Sequence, residues 1–176
     1  VISKENTWKH NQYKRNCTIT ALKYFSDQIF VGYENGEVDI FKSPQIDSTK
    51  QIPSDLVPQN IIKFESAILG FYYSQFLIVV TDRIYHELDQ KELKESNQFS
   101  FPFKADKISI AFDQIDDKTI QQMLISDSNQ IKIYENNQLA STLNISTDEH
   151  SSMSFLGDAL VVASSNTISL YLIKHA

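Results

Sequence analysis

Few side chains in this 176-residue chain have the types and spacing that chemistry needs. Four histidines are scattered at His10, His86, His150 and His175, and none stands at metal-ligand spacing to another histidine, a cysteine or a carboxylate. Cys17 is the single cysteine, which rules out an internal disulfide and a thiolate metal cluster. The tight carboxylate clusters are Asp116 with Asp117, and Asp148 with Glu149 beside His150. Acid–base work needs carboxylates that face each other at a set separation, whereas adjacent residues in a polar turn point apart. No Gly-x-Ser-x-Gly nucleophile motif occurs. Gly32 and Gly36 make no phosphate loop, because Asn35-Gly36 reads as a hairpin turn that exploits positive φ. The expectation is a protein without catalytic residues, cofactor or metal.

The totals narrow the remaining classes. A net charge of −6 leaves no basic footprint for nucleic acid, and the cluster Lys9, His10, Lys14 and Arg15 is short and interrupted. The longest apolar run, residues 76–80, is far shorter than the roughly 20 residues a spanning helix requires, so no membrane insertion is expected. One cysteine points to a reducing compartment, the cytoplasm or alternatively the nucleus. The sequons at Asn16 and Asn144 are the counter-signal for a secreted protein. An apolar fraction of 41% with 11% aromatics, and only four Gly and four Pro, fits an all-β protein rich in pleated, half-buried surface.

The elements that must position any site come from a repeat. Four segments share one pattern: an alternating strand, a turn, an almost continuously apolar strand ending in a small residue, a polar turn, and a strand closed by an aromatic. The small residues are Gly32, Thr81, Ser126 and Ala163; the aromatics are Phe41, Tyr85, Tyr134 and Tyr171, which lie 44, 49 and 37 positions apart. That period suits β-propeller blades, and a middle strand apolar throughout is one covered on both faces. A fourth strand per unit is expected at residues 60–64, 99–103 and 139–145, with Pro102 tolerated on an edge strand. The expected fold is an all-β propeller segment over residues 1–176, with four-stranded units at about 17–64, 65–103, 104–145 and 146–176. Residues 7–13 stand as an outer strand for another blade. Because propellers range from about four to eight blades, four units read as an arc of a larger ring, not a free monomer. Residues 43–59, with three prolines, form the longest connection.

Residues 29–41 resemble a WD-repeat blade: an apolar pair, a small residue, a polar-Gly turn and a closing aromatic. The chain departs from that superfamily in having no Gly-His opening and no Trp-Asp closure. Residues 77–85, 88–93 and 130–135 are similar to the citron-homology type of propeller found in vacuolar and endosomal tethering subunits. The resemblance implies a non-catalytic scaffold that binds other subunits of a eukaryotic assembly such as a vesicle-tethering complex, in the cytoplasm at an endosome or vacuole surface. The rival classes are a compact four-bladed ligand-binding propeller and a propeller enzyme with a site in the central channel. On the turns that form the top of such a ring, Glu34, Glu37, Asp82 and Asp127 make an acidic rim with Tyr33 as its one large aromatic. That rim is expected to receive a basic segment of a partner, the charge steering encounter.

Overall fold

The computed structural model describes residues 13–43, 57–115, 118–127, 129–145, 152–156, 159–164 and 167–172. Among these, every regular element is a β-strand. Blade 1 is an antiparallel sheet of β1 (Ile19–Phe25), β2 (Gln28–Tyr33), β3 (Glu37–Lys42) and β4 (Asn60–Lys63). Blade 2 holds β5 (Ile68–Tyr73), β6 (Leu77–Thr81), β7 (Ile84–Leu88) and β8 (Glu95–Ser100). Blade 3 holds β9 (Lys107–Ile115), β10 (Lys118–Asp127), β11 (Gln130–Glu135) and β12 (Gln138–Leu143). In blade 4 the sheet runs β13 (Ser152–Leu156), β14 (Ala159–Ser164), β15 (Thr167–Leu172), without a fourth strand among the described residues. The four sheets form a four-bladed β-propeller, with sequence order giving inner to outer position in each blade.

The continuous apolar runs of the middle strands have a direct cause. Successive residues of a strand point to opposite faces, and here both faces meet a neighbouring blade. Leu77 and Val79 of β6 pack into the core shared with blade 1, while Ile78 and Val80 pack into the core shared with blade 3. Likewise Met123 and Ile125 of β10 face blade 2, and Leu124 faces Leu160 and Val162 of blade 4. Each such side chain contributes about 1.5–3 kcal/mol by leaving water.

The small residues end the middle strands where blades approach most closely. A Cβ on Gly32 would sit 2.6 Å from Ile68 Cγ2, so the first strand of blade 2 occupies the space a side chain would need. Thr81 and Ser126 are completely buried at the equivalent positions. Two hairpins between first and second or third and fourth strands use consecutive left-handed residues: Ser26 with Asp27 (φ 49° and 59°) and Asn136 with Asn137 (φ 48° and 67°). This is the backbone that lets a two-residue turn match the strands' twist.

One expectation about outer strands needs correction, and another lies largely outside the described residues. The strand expected over 99–103 is β8, Glu95–Ser100, and Pro102 lies beyond it in the connection. An outer strand pairs on one side only, so polar residues such as those of β8 suffice, and the three phenylalanines serve another purpose. Phe101 is buried in the blade 2–3 core, flanked by Phe99 and Phe103. The expected outer strand at 7–13 falls outside the described residues except for Tyr13, which is not in a strand.

Candidate functional site

The first strands of all four blades begin at one end of the molecule, the top, around a single open cavity of about 320 Å³. It is lined by Thr20 of β1, Ile68 and Leu69 of β5, Asp106 to Ile108 at the start of β9, and Ser152 and Met153 of β13. Tyr72 braces this arrangement: its hydroxyl donates to the Ile108 carbonyl at 2.9 Å, joining blade 2 to blade 3. The walls are mixed, with an exposed carboxylate, a half-buried ammonium and apolar side chains. Sequence reasoning passed over Asp106 and Lys107 as ordinary members of an entry loop. The signal available was their place just before the third repeat's first strand.

Around this mouth, main-chain hydrogen bonds stitch the rim. In blades 1 and 2 the turn between second and third strands donates to its own blade's entry segment: Glu34 N to Thr18 O at 3.0 Å, and Asp82 N to Ala67 O at 3.2 Å. In the same two blades the connection leaving the outer strand bonds back to that blade's turn: Phe64 N to Gly36 O at 2.9 Å, and Phe101 N to Arg83 O at 2.7 Å. Gly36 carries φ +83°, with Phe64 O and Ser66 O 2.6 Å from where a Cβ would stand. Gly36 N donates to Tyr33 O at 3.1 Å, and Asn35 accepts from Glu37 N through its side chain at 3.0 Å.

The residues expected to form an acidic rim are spread over three blades and are occupied internally. Tyr33 is 2% exposed, which removes it as a surface anchor. The segment 13–17 lies over its ring, with the Arg15 guanidinium 5.3 Å from the ring centroid, and the Tyr33 hydroxyl donates to Asp39 Oδ2 at 3.0 Å. Burial, then the neighbouring Asp39 carboxylate, pushes the phenol well above its ordinary value. Arg15 also pairs with Asp39 at 2.9 Å and with Glu37. Glu37 further faces Lys63 at 3.9 Å. Glu34 is exposed, and its carboxylate accepts from Thr18 N at 3.2 Å. Asp82 is 8% exposed and faces Lys104 at 3.5 Å. Asp127 accepts from Asn129 N and Gln130 N at 3.0 and 2.9 Å and pairs with Lys132 at 3.2 Å. Each carboxylate thus holds a turn or a neighbouring cation, and the local acidic bias is offset by Arg15, Lys63, Lys104 and Lys132.

Asp39 was not singled out from the sequence, although a charged residue between Val38 and Ile40 is a signal of a buried ion pair. Removing the Tyr33 hydroxyl, as in Tyr33→Phe, leaves Asp39 short of a donor. The expected cost is about 1–2 kcal/mol in a denaturant melt, the loss of one hydrogen bond to a buried carboxylate oxygen that keeps Arg15 as its remaining donor.

His86 is buried on β7. Its ring centroid lies 4.8 Å from that of Phe64, and its nitrogens lie 3.5 Å from Glu65 Oε1 and Glu95 Oε2 without hydrogen-bond geometry. Among the described residues no three metal-ligating side chains come together. His10, His150, His175 and the clusters at 116–117 and 148–150 lie outside the described residues, as do residues 44–56 of the long connection.

The turns also set an acid limit. Asp127 is lowered first by the Asn129 amide, Asp89 by the Glu92 amide, and Glu37 by the Asn35 side chain. A carboxyl lower in the folded than in the unfolded chain adds stability above the unfolded value. That stability is lost as pH falls, here from roughly pH 4 downward. At the other end, burial pushes Tyr72 up to about 12, so its contribution is present below about pH 10 and disappears as pH rises toward the folded value. Melting temperature measured against pH should therefore fall at both ends, the acid arm shrinking in Asp127→Asn.

No protein-family profile matches the chain, and no curated protein matches it in sequence. Solved structures do. The computationally designed Ika4 protein superposes with a TM-score of 0.57 at 13% identity, covering 96% of this chain and 100% of that one. The AfRom2 CNH domain gives 0.61 at 13% identity over 90% of this chain and 53% of that one. BBS1N, in complex with ARL6DN, gives 0.58 at 14% identity over 84% and 47%. The chain spans about half the length of the last two. At such identities the likeness establishes the fold, a β-propeller.

Proposed function

We propose that this chain is a non-catalytic protein-interaction propeller, part of a multi-subunit cytoplasmic assembly of the vesicle-tethering kind, which docks a partner polypeptide over its top mouth. The observation that carries this reading is the fate of the charged groups. Glu37, Asp39, Asp82 and Asp127, the natural candidates for chemistry, are held by internal partners that shape the rim. What the top presents outward is a cavity with mixed walls, of the size to take one side chain of an extended segment. A neighbour that is a CNH domain, and another solved in complex with ARL6DN, are consistent with this class of role. With the rim carboxylates largely neutralised, recognition rests on the mouth, and a basic partner segment is no longer specified by charge.

The test reverses the mouth's two charges. In Asp106→Lys and Lys107→Glu, singly, binding to the co-purifying subunit should weaken about tenfold or more, the loss of one well-placed interfacial contact. Melting temperature should stay within a degree or two of the parent. Unchanged affinity in both variants would remove the mouth as the docking site.

A further inference from the structure

The seam between blades 2 and 3 changes character toward the end of the molecule opposite the mouth. Its middle is the apolar core of Ile78, Val80, Met123 and Ile125. Below that core, strand alternation brings Glu87 of β7, Phe112 of β9 and Gln121 of β10 into the same seam, and the β5–β6 turn supplies Phe76. Together with Tyr85 they line an open cavity of about 220 Å³. The buried Tyr85 hydroxyl donates to Glu87 Oε1 at 2.9 Å. Burial, then that bond, pushes the phenol well above its ordinary value, so it stays a donor across the neutral range. The Gln121 side-chain nitrogen is buried beside the same phenol, outside hydrogen-bond geometry. Among the described residues no cation pairs with the Glu87 carboxylate. The cavity at the same end of the blade 1–2 seam, about 230 Å³, is the reverse. It holds Lys91 with Phe25, Phe30, Leu77 and Leu93, and has no carboxylate in its walls.

We propose that the blade 2–3 cavity is a binding site for the ammonium of one lysine side chain, presented by a partner polypeptide at the face opposite the mouth. Charge is the first reason. A half-buried carboxylate without a cation bears a desolvation cost that an incoming ammonium offsets. One Glu87 oxygen already accepts from Tyr85, so the remaining acceptor suits a compact point charge better than the two-pronged fork of a guanidinium. The walls agree. Phe76 and Phe112 supply aromatic carbon for an alkyl stem, and such rings attract a cation over their faces. The Gln121 amide can present its oxygen to the ammonium by a half-turn of its end group. Size then selects the source of the amine. A volume of about 220 Å³ lies below the roughly 300–1,000 Å³ of pockets that enclose whole small molecules, and fits a single side chain. The net charge of −6 favours encounter with a basic partner. This site stands apart from the mouth, so it holds or fails independently of the docking proposed there.

Titration of n-butylammonium, the end of a lysine side chain, into the isotope-labelled full chain tests the site by nuclear magnetic resonance. Side-chain signals of Phe76, Phe112 and Gln121 should shift saturably with a Kd of roughly 1–10 mM, as for one charge-assisted contact. Those of Thr20 and Leu69 at the mouth should stay in place. Neutral n-butanol should bind at least about tenfold more weakly than the amine. Glu87→Gln, which keeps an acceptor for Tyr85, should weaken the amine about tenfold and leave the alcohol unchanged. A blocked tripeptide with lysine between two alanines should bind at least as tightly as butylammonium. No saturable shift, an equal response to amine and alcohol, or indifference to Glu87→Gln overturns the proposal. Exclusion of the tripeptide while butylammonium binds overturns it too, and assigns the cavity to a free amine. Should Glu87→Gln fail to fold, the parent's preference for amine over alcohol and its response to the tripeptide still decide the matter.

Discussion

Ile78→Ala should destabilise the protein by about 2–5 kcal/mol. Ile78 is 1% exposed on the middle strand of blade 2 and packs with Met123, Ile125 and Tyr134 of blade 3. Blade-to-blade cores of this kind consist of sheet faces whose positions are fixed by several strands at once, so the space left by truncation cannot collapse fully. For a chain of this size the melting temperature should drop by roughly 2–4 °C per kcal/mol. The matched control is Leu139→Ala on β12, where the side chain is 55% exposed and the change should stay within about 0.5 kcal/mol. Equal losses at the two positions would mean that the blades do not stack as described.

Gly36→Val should cost about 3 kcal/mol or somewhat more, read as a shift in the urea midpoint at constant slope. Two causes add. The left-handed backbone at φ +83° is strained for any β-branched residue, and the new Cβ would stand 2.6 Å from two carbonyl oxygens of the blade 1–2 connection. The contact also explains why Phe64 N can reach Gly36 O. Gly36→Ala should lie between parent and Val, because it carries the same close approach with less backbone strain.

How much of this was readable beforehand follows from which forces act on each residue. The all-β propeller was legible because a middle strand buried on both faces must be apolar at every position, as residues 77–80 are. The turn at Asn35-Gly36 was legible too, although only Gly36 adopts positive φ. Tyr33 was misread as a rim anchor because its cover, Arg15, is distant in sequence from the turn. The outer strand β8 was placed too far along because the three phenylalanines suggested alternation, whereas an edge strand needs no apolar face and those rings fill the next interface. Asp106 and Lys107 escaped notice because convergence of four inner strands on one cavity is a property of the assembled ring and not of any one repeat.

The most direct test of the interaction role is the mass and cross-link pattern of the native protein in a gently prepared extract, followed through its own full-length chain. The account predicts co-fractionation in one stoichiometric protein assembly, with cross-links from Lys104 and Lys107 at the top mouth to a second polypeptide. A chain that travels alone at its own mass, with cross-links confined to itself, would contradict it.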